Sequence, residues 1–381
     1  MKKLTKLTGI LAALTLAFAL VACSGPSDST SAPQKEPVKE KQEPTELGLL
    51  AGKSLKAIEG FDHVYTVEYD GEYYLEDAIS SNLISADDLV AYLNKKMISW
   101  KIAAENNKKL TIELPSIACC SIAANNAGEA GGKIFGRNYD YDNGTAIILH
   151  TMPYNGYESV STSYPYFVTG ELWWEPSYNF VNDAVALALI YAPLDGMNEK
   201  GLYISILELD DEETNQADEG KNDVQTTVAV RYILDNAATV AEALEILEGF
   251  NMHNVFGTAY HYAIADTTGR SVVVEYINNK MLVKDAKVVT NHYLTDTEAK
   301  PYASTNSKTR YNAAYNAGEE AEWNMTPEQM RDALKAAKCI HDPDDDSFVS
   351  IWSAVFEPNA KRITYYFRED YTKSAVITFG N

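Results

Sequence analysis

The chain has 381 residues, 32 of them Lys or Arg and 54 Asp or Glu, for a formal net charge of -22. So acidic a chain lacks the basic footprint that nucleic acid requires. Its 46% hydrophobic and 23% charged residues are ordinary for a soluble globular protein with a sizeable core.

Lys2, Lys3 and Lys6 precede an apolar run from Leu7 to Ala22, which ends at Cys23-Ser24-Gly25. This is the form of a bacterial lipoprotein signal. The run is too short and too early for a spanning helix, and a cysteine stands where lipid is attached. Residues 24–46, rich in Ser, Pro, Lys, Glu and Gln, read as a disordered tether. The expected location is extracytoplasmic, with the chain held at the membrane surface through lipid on Cys23.

Residues 47–118 read as a small mixed segment. A hairpin is expected over Phe61–Tyr74 around Asp70-Gly71, and a helix from Ser85 to about Met97. A strand is expected over Lys109–Leu114. Strands then dominate: Cys119–Ala124, Lys133–Arg137, Thr145–His150, Ala184–Tyr191 and Leu202–Leu207. Gly128, Gly131 and Gly132 mark a hairpin turn between the first two. Asp210–Asp223 reads as an acidic loop. Two helices follow, Thr226–Asn236 and Val240–Leu247, and then strands at Tyr260–Asp266, Ser271–Ile277, Lys280–Val283 and Lys287–Thr290. Helices near Lys308–Asn316 and Thr326–Ile340 precede three closing strands, Phe348–Phe356, Lys361–Phe367 and Ala375–Phe379. Grouped strands with paired helices between them point to layered α and β without βαβ alternation.

With Cys23 assigned to lipid, Cys119, Cys120 and Cys339 remain, an odd number that flags a free thiol in an exported protein. Adjacent residues sit only about 3.8 Å apart at Cα, which argues against a Cys119–Cys120 bridge. Cys339, in a helical pattern, reads as a small buried hydrophobe. A thiol attacks only as its thiolate and needs a base. One source is a histidine (His150, His253, His261, His292 or His341), none of them in a familiar cysteine-peptidase signature. The other is the cysteine's own α-amine, if the chain is cut just before it; that amine titrates at about 7.7–8.0.

Cys120-Ser121 followed by Phe135-Gly136-Arg137-Asn138-Tyr139-Asp140 resembles the opening of the choloylglycine hydrolase family of N-terminal-nucleophile (Ntn) amidases. Met197-Asn198-Glu199-Lys200-Gly201-Leu202, Val289-Thr290-Asn291-His292 and Ser307-Lys308-Thr309-Arg310-Tyr311 resemble later family motifs in the family's order, and Trp352-Ser353 also fits. The resemblance implies an α+β fold, the αββα four-layer sandwich with two stacked antiparallel sheets. It implies Cys120 as nucleophile with its freed amine as base. Arg137 and Asp140 would tune the thiol and amine, Asn291 would donate to the oxyanion, and Arg310 would support the site. No metal or organic cofactor is implied. The substrate would be a small-molecule linear amide with an apolar acyl group, and an oligomer is left open. The family places its cysteine near the start, so 119 preceding residues require a cut before Cys120, with Cys119 as the alternative cut site. Domains are then expected at 1–23, signal; 24–46, tether; 47–119, pro-segment; and 120–381, catalytic domain. Leu207-Glu208-Leu209 stands where the family has Leu-Asn-Phe, which alters substrate contacts at that point.

Acyl transfer to an amine, an inactive binding lipoprotein and a His-assisted cysteine peptidase are the alternatives. Asp342, Asp344, Asp345 and Asp346 resemble a calcium loop, but Ser347 and Ser353 stand where Gly and Glu belong, which favours a solvated loop. Tyr154–Tyr178, with Trp173-Trp174, could line a groove or simply pack.

Overall fold

The computed structural model describes residues 54–99, 118–176, 180–254, 257–295, 298–300, 304–340 and 347–380. The signal run, Cys23, the tether, the strand expected at Lys109–Leu114, His341 and Asp342–Asp346 lie outside them. Among the described residues, no helix is long and apolar enough to cross a membrane.

Two large sheets form the centre. In the first, nine strands lie in the order Lys56–Ala57, Val64–Asp70, Ala146–Met152, Ser159–Ser163, Asp195–Asn198, Tyr203–Leu209, Ala259–Ala265, Ser271–Ile277 and Lys280–Asp285. All its pairings are antiparallel except Val64–Asp70 with Ala146–Met152. The second has the path Val288–Val289, Ala118–Asn126, Lys133–Asp142, Phe348–Glu357, Arg362–Phe367 and Ala375–Thr378, with Asn324–Met325 alongside Ala118–Asn126. The expected hairpin is present. Gly131 and Gly132 turn it at φ +60 and +74, where a side chain is strained.

The sheets pack face to face. Phe135 stacks on Tyr203 at 5.3 Å and Phe356 tilts against the same ring at 4.9 Å. Each such phenylalanine gains about 1.5–3 kcal/mol from burial. Helix Thr226–Asn236 covers the first sheet. Helices Thr305–Glu320 and Pro327–Ala336 cover the second, closing a smaller core of Ile122, Ala314, Met330 and Leu334. This is the expected four-layer α+β sandwich.

Three local expectations are corrected. Ala184–Tyr191 lies largely in a helix, Phe180–Ile190; a short, wholly apolar run buries equally well as strand or helix. Val64–Asp70 has no hairpin partner after Asp70-Gly71 and pairs in parallel with Ala146–Met152. The acidic loop contains a strand, Asn222–Gln225, paired in parallel with Phe250–His253.

Residues 54–99 are built into the same body as the rest. Val64 and Val67 are core residues. Tyr73 donates to Asp235, whose carboxylate also holds Arg231 at 2.9 Å. Tyr73, Arg231 and Asp235 are all buried.

Candidate active site

The hairpin fixes which side chains meet. Cys119 pairs with Tyr139, Cys120 with Asn138, and Ser121 with Arg137. Side chains alternate across a sheet, so Cys119, Ser121, Arg137 and Tyr139 share one face, and Cys120, Asn138 and Asp140 the other. The Cys119 face borders the space between the sheets, where Cys119 joins the main core. The Cys120 face is turned toward the helices, where Cys120 packs among Ile122, Met330 and Leu334. The expectation that Cys120 lies beside Arg137 is therefore corrected: Cys119 does.

Arg137 is fully buried. Its Nε donates to Asp195 Oδ2 at 3.3 Å and its Nη2 to the Ile206 carbonyl at 2.8 Å, leaving Nη1 without a hydrogen-bond partner among the described residues. Trp352 Nε1 donates to the same Asp195 oxygen at 2.9 Å. Sequence reasoning missed Asp195, two residues ahead of the Met197-Asn198 motif, because its partner lies 58 residues away. Burial pushes the Cys119 thiol up to about 11 in this uncut chain, and Arg137 is the largest influence pulling it back. Cys120 is pushed up to about 12 by burial, with Arg310 the main opposing charge.

The backbone of Cys119 is held from the sheet edge. Val289 pairs with Ser121, and Asn291 follows two residues later. Asn291 Oδ1 accepts from Cys119 N at 2.6 Å and from Arg310 Nη2 at 2.8 Å, while Nδ2 donates to the Glu208 carbonyl at 2.9 Å. Arg310 Nη1 also donates to the Cys119 carbonyl. Asn291, Arg310 and the Cys119 backbone thus form one network. Arg310 reaches it because Ser307, one turn earlier on the helix, is held by His292 at 2.8 Å.

Asp140 lies opposite Ala118, on the other side of the bond to Cys119. Ser350 Oγ donates to its Oδ1 at 2.6 Å, and Arg310 Nη1 stands 3.8 Å from its Oδ2, which has no hydrogen bond among the described residues. Burial raises this carboxyl to about 6, with Arg310 the strongest influence the other way. The folded value exceeds the unfolded one, so ionised Asp140 costs stability above about pH 6, and the cost vanishes as the pH falls toward 4. It amounts to about 3 kcal/mol. Asp140→Asn in a Cys119→Ala background is expected to raise the denaturation midpoint at pH 8 relative to Cys119→Ala alone, with the gain shrinking to nothing near pH 4. A gain independent of pH refutes this.

Cys119, Tyr139, Phe167, Leu194, Ile206, Glu208 and Tyr260 line a narrow, largely apolar cleft. Phe167 comes from the aromatic stretch expected to line a groove or pack, and Trp174 packs in the core. Trp173 lines a separate hollow of about 390 Å³ with Phe61, His63, Arg368 and Lys373. The Met197–Leu202 motif is a turn: Asn198 Oδ1 accepts from Lys200 N and Leu202 N, and its Nδ2 donates to the Leu234 and Ala237 carbonyls. The histidines weighed as bases bond elsewhere: His150 to Glu158, His253 to Asp223, His261 to Glu275, and His292 to Ser307. Cys339 is buried, as expected.

Two facing sheets between helices, with a cysteine at the start of a central strand, define an Ntn-hydrolase fold. A crystal structure of a mutant conjugated bile acid hydrolase from Clostridium perfringens shares it, with a TM-score of 0.50 at 16% identity over 68% of this chain and 92% of that one. The model of the acyl-coenzyme A:6-aminopenicillanic acid acyl-transferase family matches residues 127–371, and the chain belongs to this penicillin acylase and choloylglycine hydrolase family. The match begins beyond both cysteines. A bile salt hydrolase/transferase of Clostridium perfringens is 32% identical over 109 residues, 25% of this chain and 31% of that protein. A penicillin V acylase of Pectobacterium atrosepticum is 34% identical over 110 residues, 26% of this chain and 29% of that protein. The similarity spans about a third of the length of these relatives.

Proposed function

We propose that the chain is an amidase that hydrolyses a linear, non-peptide C–N amide through an acyl-thioester on Cys119. The Ala118–Cys119 bond is cut first, and the freed α-amine serves as base. The observation that carries this is the convergence on one residue. The Cys119 side chain borders the cleft beside Arg137, and its backbone nitrogen and carbonyl are gripped by Asn291 and Arg310. Placing the nucleophile at Cys119 moves the expected boundary of the catalytic part from residue 120 to 119.

The amine takes the thiol proton as sulfur attacks the amide carbonyl. It then returns the proton to the leaving nitrogen, and water releases the acyl group as a carboxylic acid. Asp140 holds the amine, Arg137 favours the thiolate, and Asn291 donates to the oxyanion. Tyr139, Phe167, Leu194, Ile206 and Tyr260 give the cleft an apolar lining, but at about 10 Å³ in the uncut chain it has to widen to admit an acyl group. The protein would sit outside the membrane on lipid attached to Cys23. The cut would leave residues up to 118 bound without a covalent link, because Val64–Asp70 is an inner strand of the nine-stranded sheet.

Mass spectrometry of the mature protein tests the core of this. A new N-terminus at Cys119 is expected; its absence sinks the reading. The two pieces are expected to co-elute on gel filtration, and separation without denaturant refutes retention. Assays with penicillin V, a glycine-conjugated bile salt and N-acyl amino acids, with and without hydroxylamine as acceptor, then separate hydrolysis from acyl transfer.

A further inference from the structure

Strand Phe348–Glu357 runs beside Lys133–Asp142 with one irregularity. Ser350 pairs with Asp140 and Trp352 with Tyr139, so Ile351 is an extra residue in the ladder. In an unbroken strand, residues two apart project to the same face. The bulge separates them. Ser350 points to the helix side and donates to Asp140. Trp352 points between the sheets, donates to Asp195 and stacks on Tyr139 at 4.2 Å. One strand thereby serves two buried carboxylates on opposite sides of its sheet, Asp140 of the neighbouring strand and Asp195 of the facing sheet.

The direction of the Ser350 hydroxyl is set by its surroundings. Cys339 N donates to Ser350 Oγ at 3.2 Å, which leaves the hydroxyl proton for Asp140. Ser350 N donates in turn to Glu369 Oε1 at 3.2 Å. The serine is thus fixed at both its nitrogen and its oxygen, and one oxygen of Asp140 is fixed through it. The other oxygen remains directed at Arg310.

We propose that Ser350, placed by the bulge, is a positioning residue for Asp140, fixing that carboxylate for work on the Cys119 amine. This rests on the reading that Cys119 is freed by cleavage. Other charged and titratable groups act on Asp140 too. Arg310 and Arg137 lower it, Glu369 raises it, and Cys119, Cys120, Cys339 and Tyr371 are coupled to it. Ser350's hydroxyl lowers it. Removing that hydroxyl therefore moves the carboxyl upward, and with it the pH below which the site fails.

The test uses the full chain and needs no substrate. Purified precursors carrying Ser350→Ala, Ser350→Thr and Ser350→Cys are compared with wild type and Cys119→Ala. Cleavage before Cys119 is followed by mass, and alkylation of the Cys119 thiol by iodoacetamide is followed across pH. Ser350→Ala is expected to slow cleavage about 10-fold and to shift the acid limb of both profiles up by about one pH unit. Ser350→Thr, which keeps the hydroxyl, should recover most of the rate. Ser350→Cys, with a weak donor of similar size, should fall between, and it serves in place of the alanine variant if that does not fold. Wild-type rates and an unshifted acid limb in Ser350→Ala overturn the proposal, as does failure of a folded Ser350→Thr to recover. Absence of cleavage in wild type, or cleavage undiminished in Cys119→Ala, defeats the underlying reading instead.

Discussion

Cys119→Ala is expected to leave the precursor uncut and to lower amide hydrolysis on the order of 10^6-fold, the scale of losing a catalytic nucleophile. Cys120→Ala should be cut normally and keep activity within about twofold. The two residues are neighbours with the same side chain, so chemistry alone does not separate them; the face of the strand does. Cys119 points between the sheets, where Arg137 lies and the cleft opens, while Cys120 is fully buried against Met330 and Leu334. Deleting the Cys120 sulfur leaves a small void in that core, for a loss of about 1–2 kcal/mol. The variants thus differ in kind. Both sulfurs are buried, so each variant should lose a little stability, but Cys119→Ala should lose function and Cys120→Ala should keep it. N-terminal mass, turnover and urea denaturation on both proteins decide it. An uncut, inactive Cys120→Ala beside an active Cys119→Ala would show the hairpin register to be wrong by one residue.

That same register explains what the sequence could and could not disclose. Phe135–Asp140, Asn291 and Arg310 were legible because their order and spacing carry the family resemblance, and the structure does bring them together. The choice between the cysteines was not. A slip of one residue in a hairpin exchanges the two faces, and the register depends on how the Gly128–Gly132 turn is closed, which composition does not state. The pair Cys120-Ser121 drew attention to Cys120. With Ser121 opposite Arg137, the alternation of side chains puts Cys119 on Arg137's face and Cys120 off it. Asp195 and Ser350 were invisible for a related reason. Each acts across a gap of more than 50 residues, on Arg137 and Asp140 respectively, and neither stands in a motif with its partner. The helix Phe180–Ile190 misled because the uniform burial of Val185–Ile190 erases the alternation that separates helix from strand.

Asn291→Ala and Asn291→Asp, compared as cleaved proteins, are both expected to lose about 100–1000-fold in kcat. Their stabilities should differ. Two donors, Cys119 N–H and the Arg310 guanidinium, converge on Oδ1, while Nδ2 meets the Glu208 carbonyl; turning the amide over would set donor against donor and acceptor against acceptor. The orientation is therefore determined by the network. The amide nitrogen carries two hydrogens. One is used on Glu208, and the other is available for an oxyanion forming at the Cys119 sulfur's target. Aspartate can still accept from Cys119 N–H and can pair with Arg310, so the strand edge should stay in place. It has no hydrogen to give, and it sets an oxygen against the Glu208 carbonyl. Alanine loses both roles and leaves Arg310, a buried cation, with one fewer acceptor, a further cost of about 1–3 kcal/mol. If the residue served only to hold Cys119 and Arg310, the aspartate variant would keep near wild-type turnover. Measured kcat and urea midpoints for the two variants separate the roles: donation to the oxyanion requires that aspartate fail as badly as alanine while unfolding at a higher urea concentration.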